Sequence, residues 1–199
     1  MSAWLYALRM TTRNPTPADT LARWQGEEAA LRAQKRHDPA PIPPESWRGR
    51  PGLDVLRDML EGRLPEPPMA HSMGFMLVHV EPGFAVFQGR PGAAFLNPMG
   101  GLHGGWYATL LDSCLGCAVH TTMPSGRAYT TLEVKFNLVR AIPATGPDVP
   151  LVRAEGRVVH GGRQVATAEG RIVGADGRLY AHATTTCLVF NLPPEKPSP

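Results

Sequence analysis

A glycine-rich entry into a long apolar segment constrains the fold of this chain most strongly. Residues 97–120 read NPMGGLHGGWYATLLDSCLGCAVH, and between the histidines at 103 and 120 only Asp112 is formally charged at neutral pH. The apolar residues run round more than one face of a helix, which predicts a buried helix. A carboxylate inside such a helix is costly unless it has a partner or lines a cavity. We therefore interpret Asp112 as a catalytic carboxylate, with structural capping of a neighbouring loop as the alternative.

His103, Gly104 and Gly105 lie where this helix is expected to begin. The first turn of a helix leaves several backbone N–H groups without partners, and glycine allows a ligand to approach them closely. The positive end of the helix dipole then favours an oxygen that gains negative charge. Asp112 follows Gly104 by eight residues, which is about 12 Å along the axis and about 80° around it. Because one chain cannot bring both groups to one reacting atom, the spacing predicts a site completed by a second copy of the chain.

The segment GGLHGGWYATLLD, followed by YTTLEVKFNLVRAI, resembles the hotdog-fold acyl-CoA thioesterases of the phenylacetate-degradation (PaaI-like) type. The resemblance covers roughly residues 73–190. In that family an Asn precedes an HGG sequence, the HGG opens the central helix, and an Asp nine residues after the His is the catalytic carboxylate. The corresponding residues here are Asn97, His103, Gly104, Gly105 and Asp112.

The resemblance implies an α+β hotdog fold, in which a curved antiparallel sheet of five to six strands wraps a long central helix. It also implies hydrolysis of an acyl-CoA thioester, with Asp112 acting as a general base on water or as a nucleophile. We expect a medium-chain or aromatic acyl group. A non-catalytic acyl-CoA-binding module is the main alternative. A hotdog hydratase or dehydratase is less favoured, because it would normally use a His/Asp or His/Glu pair on a β-hydroxyacyl group.

The resemblance further gives roles to residues near the expected carboxylate. Asn97 would orient the attacking water or the thioester, or would only hold its loop. His103 would take part in the site or would only shape the start of the helix. Thr131 aligns with a strand position that carries a hydroxyl near the carboxylate, although a β-branched residue is ordinary in a strand. The N–H of Gly104 or Gly105 would polarise the thioester oxygen.

Three arginines are candidates for binding coenzyme A, and four apolar residues are candidates for binding the acyl group. Arg163 follows a second HGG sequence, interpreted as a hairpin turn, and the resemblance places residues after that turn near coenzyme A. Arg127 and Arg140 are further candidates, since arginine suits the phosphates of coenzyme A. Trp106 is a candidate for the acyl pocket, together with Met73, Phe75 and Met99. We predict an acyl-CoA substrate, no cofactor, no metal site, and a homodimer or homotetramer.

The composition argues against several other classes of protein. The net charge is +3 and the arginines are spread along the chain, which disfavours a nucleic-acid partner. No apolar run approaches the ~18 residues of a membrane span, and the N-terminus is a poor secretion signal. Three cysteines are an odd number, which favours a reduced, cytoplasmic protein. Cys114 and Cys117 imitate a CxxC motif, but no second pair completes a zinc site, so we expect buried, inert thiols.

The composition of the chain changes near residue 70. Residues 1–70 are rich in proline and charge and are predicted to form an N-terminal extension with short helices. Residues 71–192 are assigned to the hotdog domain and residues 193–199 to a tail. The helices of the extension are expected over 20–35, capped by Asp19 or Thr20, and over 53–61.

Strand signals begin after this change. Pro82 and Gly83 predict a hairpin turn, and the last three strands are expected at about 151–160, 163–174 and 178–190. Residues 131–138, which lie between this hairpin and the last three strands, alternate in polarity. Their predicted faces are Leu132, Val134, Phe136 and Leu138 on one side and Thr131, Glu133, Lys135 and Asn137 on the other. Glu133 is interpreted as a solvated or interface charge.

Overall fold

The computed structural model describes residues 15–193, in which a six-stranded antiparallel sheet curves around one helix. The helices are α1 (Pro17–Gln34), α2 (Pro44–Trp47), α3 (Gly52–Leu60), α4 (Pro68–Ser72) and the central α5 (Gly104–His120). The strands are β1 (Phe75–Glu81), β2 (Phe84–Gly89), β3 (Arg127–Leu138), β4 (Val152–Gly161), β5 (Val165–Gly174) and β6 (Leu179–Asn191). Their order in the sheet is β1-β2-β4-β5-β6-β3. The predicted α+β hotdog fold is confirmed.

The core lies between α5 and the inner face of the sheet. The fully buried apolar side chains of α5 are Leu110, Leu111, Cys114, Leu115, Ala118 and Val119. Gly156 of β4 allows the helix and the sheet to approach, because a Cβ at this position would lie 2.3 Å from the carbonyl oxygen of Cys114. The opposite side of α5 is open, and Asp112 is solvent-exposed there. The prediction that Asp112 lies within a buried helix is therefore wrong, because the sheet covers only one side of the helix.

The free edge of the sheet is β3. This strand is 12 residues long, and within residues 15–193 it pairs only with β6. Its side chains Leu132, Phe136 and Leu138 are 59%, 37% and 47% exposed. The other edge strand, β1, is contacted by α3 and α4. A long edge strand with exposed apolar side chains is a template for pairing with another chain.

A β-bulge interrupts β3 between Thr131 and Glu133. Thr131 pairs with Cys187 of β6, which faces the core and is fully buried. Glu133 pairs with the preceding residue of β6, Thr186, which faces the other side. The prediction that Thr131 and Glu133 share a face is wrong, because Leu132 is an extra residue in the strand and reverses the alternation.

The local elements of the chain lie close to their predicted positions. Gly83, with a φ of 74°, forms the predicted hairpin turn between β1 and β2, and α3 matches the predicted helix 53–61 to about one residue at each end. The last three strands match to about two residues. The segment before residue 15, and the predicted tail apart from residue 193, lie outside the described residues.

The first helix of the extension begins earlier than predicted, because its N-cap is Thr16 and not Asp19 or Thr20. The Thr16 hydroxyl accepts a hydrogen bond of 3.2 Å from the Asp19 N–H, and the Asp19 carboxylate accepts one of 2.9 Å from the Thr16 N–H. This reciprocal pair is a capping box. No described helix has both the length and the apolarity that crossing a bilayer requires.

α1 is attached to the outer face of the sheet by a buried polar cluster. Arg153 of β4 donates hydrogen bonds to Gln88 of β2, at 2.8 Å, and to Glu27 of α1. Gln88 in turn donates to the Trp24 carbonyl oxygen at 3.1 Å and to Glu28 at 2.7 Å. The Arg153 guanidinium lies 4.5 Å from the centre of the Trp24 ring, a cation–π contact. α1 therefore packs directly on the sheet.

Candidate active site

The Asp112 carboxylate lies on the open side of α5, beside β3. Its Oδ1 accepts a hydrogen bond of 3.1 Å from the Thr131 hydroxyl. Among the described residues no Lys or Arg pairs with it. A carboxylate that is accessible and not neutralised can accept a proton from water or attack an electrophilic carbon.

The bulge in β3 brings Thr131 to this carboxylate. A regular strand would turn Thr131 to the outer face of the sheet, where Glu133 lies. The Glu133 carboxylate instead accepts a hydrogen bond of 2.9 Å from the Thr186 hydroxyl. Bulges commonly redirect a side chain in this way. The predicted neighbours Thr131 and Asp112 are therefore brought together by an irregularity that the alternation of the sequence did not indicate.

The start of α5 presents one free backbone donor. His103 is the N-cap, and its Nδ1 accepts a hydrogen bond of 2.9 Å from the Gly105 N–H. The Gly105 amide is therefore engaged by the cap. The Gly104 N–H has no acceptor within residues 15–193. Of the two candidate donors, Gly104 is the one available to a substrate oxygen, and His103 shapes the helix start.

Asn97 closes the loop that precedes α5. Its Oδ1 accepts hydrogen bonds from the N–H groups of Met99, at 2.9 Å, and Gly101, at 3.1 Å. The Asn97 N–H also donates to the Gly101 carbonyl oxygen at 2.7 Å. The side-chain carbonyl thus holds the loop, whereas the side-chain NH₂ has no acceptor in the described part of the chain. Both predicted roles of Asn97 are compatible with this arrangement.

Gly104 and Asp112 lie at separate places along β3. A Cβ on Gly104 would be 3.6 Å from Cδ1 of Leu138, near the end of the strand. Asp112 contacts Thr131, nearer its start. These two strand positions are seven residues apart in the sequence, which corresponds to about 23 Å. The single chain therefore does not bring the amide donor and the carboxylate to one point.

Arg127 and Arg163 lie together at one end of the sheet. The Arg127 guanidinium donates a hydrogen bond to the Arg163 carbonyl oxygen, and both line a cleft of about 1110 Å³. Other lining residues are His160, Gln164, Leu188 and Phe190. Arg140 follows the opposite end of β3, about 40 Å away along the strand direction. The cleft does not include Asp112, and Thr131 is about 13 Å along β3 from Arg127.

Trp106 is part of the core in this structure. Its side chain is 1% exposed, and its Nε1 donates a hydrogen bond of 2.9 Å to the Met73 carbonyl oxygen. Phe75, another candidate for the acyl pocket, is 2% exposed. Neither side chain offers a surface to a ligand here. Met73 is half-buried, and Met99, at 92% exposed, is the most accessible member of that set.

The thiols of α5 are not arranged for catalysis. Cys114 and Cys117 are free, and burial raises the pKa of Cys117 to about 12 and that of Cys114 well above its ordinary value. A thiol with a raised pKa is a poor nucleophile at neutral pH. Within residues 15–193, no cluster of His, Cys, Asp and Glu is arranged to hold a metal ion.

One residue near the site was missed by the sequence analysis. Thr185 of β6 is 2% exposed, and its hydroxyl donates a hydrogen bond of 2.6 Å to the Glu133 carbonyl oxygen at the bulge. The alternation of the sequence could have indicated this residue. Thr185 lies at an inward-facing position of β6, and the nearest inward-facing residues of that strand are small and apolar. These neighbours are Ala181, Ala183 and Cys187.

Comparison with known proteins agrees with the fold. The sequence profile of the Thioesterase superfamily matches residues 99–181. A putative thioesterase, a phenylacetic acid degradation-related protein from Ralstonia eutropha, is 30% identical, with a TM-score of 0.59 over 66% of this chain and 97% of that one. None of the curated proteins matches the chain.

Two further solved structures are similar. A mutant of the phenylacetic acid degradation protein PaaI from Thermus thermophilus is 29% identical over 61% of this chain and 97% of that one, with a TM-score of 0.54. A hypothetical thioesterase from Streptococcus pneumoniae, solved with coenzyme A, is 26% identical over 62% of this chain and 92% of that one, with a TM-score of 0.55. The chain therefore belongs to the hotdog-fold thioesterase superfamily. Within it, the chain is similar to the PaaI-like proteins of phenylacetic acid degradation.

Proposed function

We propose that this protein hydrolyses a medium-chain or aromatic acyl-CoA to the free acid and coenzyme A, with Asp112 as the catalytic carboxylate. The contact between Asp112 and Thr131 carries the proposal, since it holds an accessible carboxylate on a helix that has no other formally charged residue at neutral pH. Membership of the thioesterase superfamily supports it, as does a similar thioesterase solved with coenzyme A. Three free thiols in the described residues fit a reducing compartment such as the cytoplasm.

The chemistry needs a donor for the thioester oxygen and a group that activates the attack. The Gly104 N–H donates to that oxygen, where negative charge develops as the carbonyl carbon becomes tetrahedral. Asp112 takes a proton from the attacking water, or itself attacks to form an anhydride that water then opens. The Asn97 amide orients the water or the thioester. The C–S bond breaks, coenzyme A leaves as the thiolate, and the proton taken from water converts it to the thiol.

We further propose that two copies of the chain complete each site. Antiparallel pairing of two β3 edges about an axis between Val134 and Lys135 would set Thr131 opposite the partner subunit's Leu138. Because Gly104 contacts Leu138 within a chain, the partner subunit's Gly104 would then approach Asp112. The pairing would also cover the exposed edge, which is otherwise an aggregation hazard. A homodimer is the minimum assembly, and a homotetramer is compatible with it.

The same pairing would gather the arginines that are candidates for binding coenzyme A. Arg127 and Arg163 lie at the start of β3 in one chain. Antiparallel pairing about this axis would bring the partner subunit's Arg140 to that end of the strand. Three guanidinium groups there would suit the phosphates of coenzyme A.

A thiol-release assay tests the proposal. The protein is incubated with a panel of aliphatic and aryl acyl-CoAs, and free coenzyme A is followed with a thiol reagent. Hydrolysis that Asp112→Asn abolishes is the expected result. Tight binding of a non-hydrolysable thioether analogue, with no thiol release from any substrate, would instead show a binding module. Hydration of an enoyl-CoA without thiol release would show a hydratase.

A further inference from the structure

Thr185 is a polar residue in an apolar part of the core. It is 2% exposed, and its inward-facing neighbours on β6 are small and apolar. A buried hydroxyl costs free energy unless it is hydrogen-bonded. Thr185 meets this need by donating to the Glu133 carbonyl oxygen at 2.6 Å. The hydroxyl is therefore matched to one backbone group, and that group lies at the bulge of β3.

A bulge leaves backbone groups of the ladder without their regular partners. The Thr185 hydroxyl supplies such a partner on the Glu133 side of the bulge. On the other side, Thr131 is paired directly with Cys187, whose sulfur lies 4.0 Å from the Thr185 Oγ1. The extra residue, Leu132, is 59% exposed, so packing on its side chain contributes little to the stability of the irregularity. Side chains of β6 hold the bulge from within the core.

We propose that Thr185 is a positioning residue for the thioesterase reaction. Its hydroxyl stabilises the bulge, and the bulge turns the Thr131 hydroxyl toward the Asp112 carboxylate. Thr185 contacts no reacting atom and acts only through Thr131. This inference rests on the proposed function of Asp112.

Variants of Thr185 test the inference through kcat and KM. Thr185→Val keeps a branched side chain of similar size but removes the donor, and should lower kcat about tenfold, as expected for loss of one oriented hydrogen bond, with KM unchanged. Thr185→Ser restores the hydroxyl and should restore kcat. Thr184→Val removes a neighbouring hydroxyl from the exposed face of β6 and should leave kcat unchanged. If the valine variant does not fold, Thr185→Ala provides the same comparison.

A double-mutant cycle separates positioning from general destabilisation. In a Thr131→Ala background, Thr185→Val should lower kcat by less than about twofold, because the residue through which it acts is already absent. Equal losses in both backgrounds would overturn the inference. Amide hydrogen exchange at the bulge should be faster in Thr185→Val. Faster exchange with wild-type kcat would also overturn it, while Asp112→Asn would still report separately on the proposed function.

Discussion

The hydroxyl of Thr131 donates a 3.1 Å hydrogen bond to the carboxylate of Asp112, and so joins the edge strand of the sheet to its central helix. The contact lies on the open side of α5, next to the strand edge that has no neighbouring strand in the described part of the chain. Chemistry and assembly are therefore expected to depend on the same part of the molecule. A second copy that pairs with β3 would also enclose the carboxylate.

Replacement of Asp112 by asparagine should lower kcat at least ~10²-fold, because an amide neither accepts the proton of water nor forms an anhydride. Asparagine keeps the shape of the side chain and an oxygen that can accept from the Thr131 hydroxyl, so the midpoint of thermal denaturation should change by less than about 2 °C. Thiol release and a thermal melt measure the two effects. Asp148→Asn, in an exposed loop after β3, is the matched control and should keep full activity. Wild-type turnover in Asp112→Asn would show that the carboxylate takes no part in the mechanism.

Mixed assemblies should regain activity that neither parent variant has. Asp112→Asn chains lack the carboxylate, and Gly104→Val chains block the amide donor with a bulky side chain. In a hybrid dimer one of the two shared sites is intact, so a random mixture should recover about a quarter of wild-type activity. Co-expression with two affinity tags isolates the hybrid for the thiol-release assay. A fully active monomer in light scattering, or an inactive purified hybrid, would contradict the shared site.

Removal of the Arg163 guanidinium should weaken recognition of the nucleotide part of coenzyme A. Arg163→Ala is expected to raise KM for acyl-CoA about tenfold, the scale of one charge-assisted hydrogen bond. KM for the corresponding acyl-pantetheine, which lacks the nucleotide, should not change. Arg178→Ala alters another exposed arginine, at the β5–β6 turn, and is the control. Equal effects on KM for both substrates would show that Arg163 does not bind the phosphates of coenzyme A.

His120 should make the protein less stable in acid. Burial lowers the pKa of His120 from its ordinary value of 6.5, and its Nδ1 is buried without a hydrogen-bonding partner in the described residues. The unfolded chain therefore binds this proton more readily, so the free energy of unfolding should fall as pH decreases below about 6.5. Urea titrations at several pH values should show a smaller fall in His120→Asn than in the wild type. His37→Asn, at an exposed site, should behave like the wild type.

In the cluster that holds α1 on the sheet, a buried arginine should contribute more to the free energy of unfolding than an exposed one. Arg153→Ala leaves Gln88 and Glu27 without a buried donor. After allowance for the partial exposure of Glu27, the loss should be about 2 kcal/mol. Arg23 pairs with the same Glu27 but is 58% exposed, so Arg23→Ala should cost less than about 0.5 kcal/mol. Chemical denaturation of the two variants gives the comparison, and equal losses would mean that the cluster does not anchor the helix.

Features that depend on neighbouring residues could be predicted from the sequence alone. The start of α5 at His103 and Gly104 follows from a capping side chain and glycines within one turn, and the β1–β2 hairpin follows from Pro82 and Gly83. The spacing of Asp112 from these glycines also indicated that one chain does not bring them together. Such features depend on interactions between residues that are close in the sequence, so the residue types alone are enough to predict them.

The tertiary structure alone decided the features that depend on distant residues. The face of Thr131 is set by the register of β3 on β6, and one extra residue in the ladder reverses it without changing the polarity pattern. The exposure of Asp112 depends on which side of α5 the sheet covers. The attachment of α1 depends on Gln88 and Arg153, two polar residues on strands far along the chain from Glu27. A side chain's partners across a sheet are set by pairing, and pairing is a property of the folded chain.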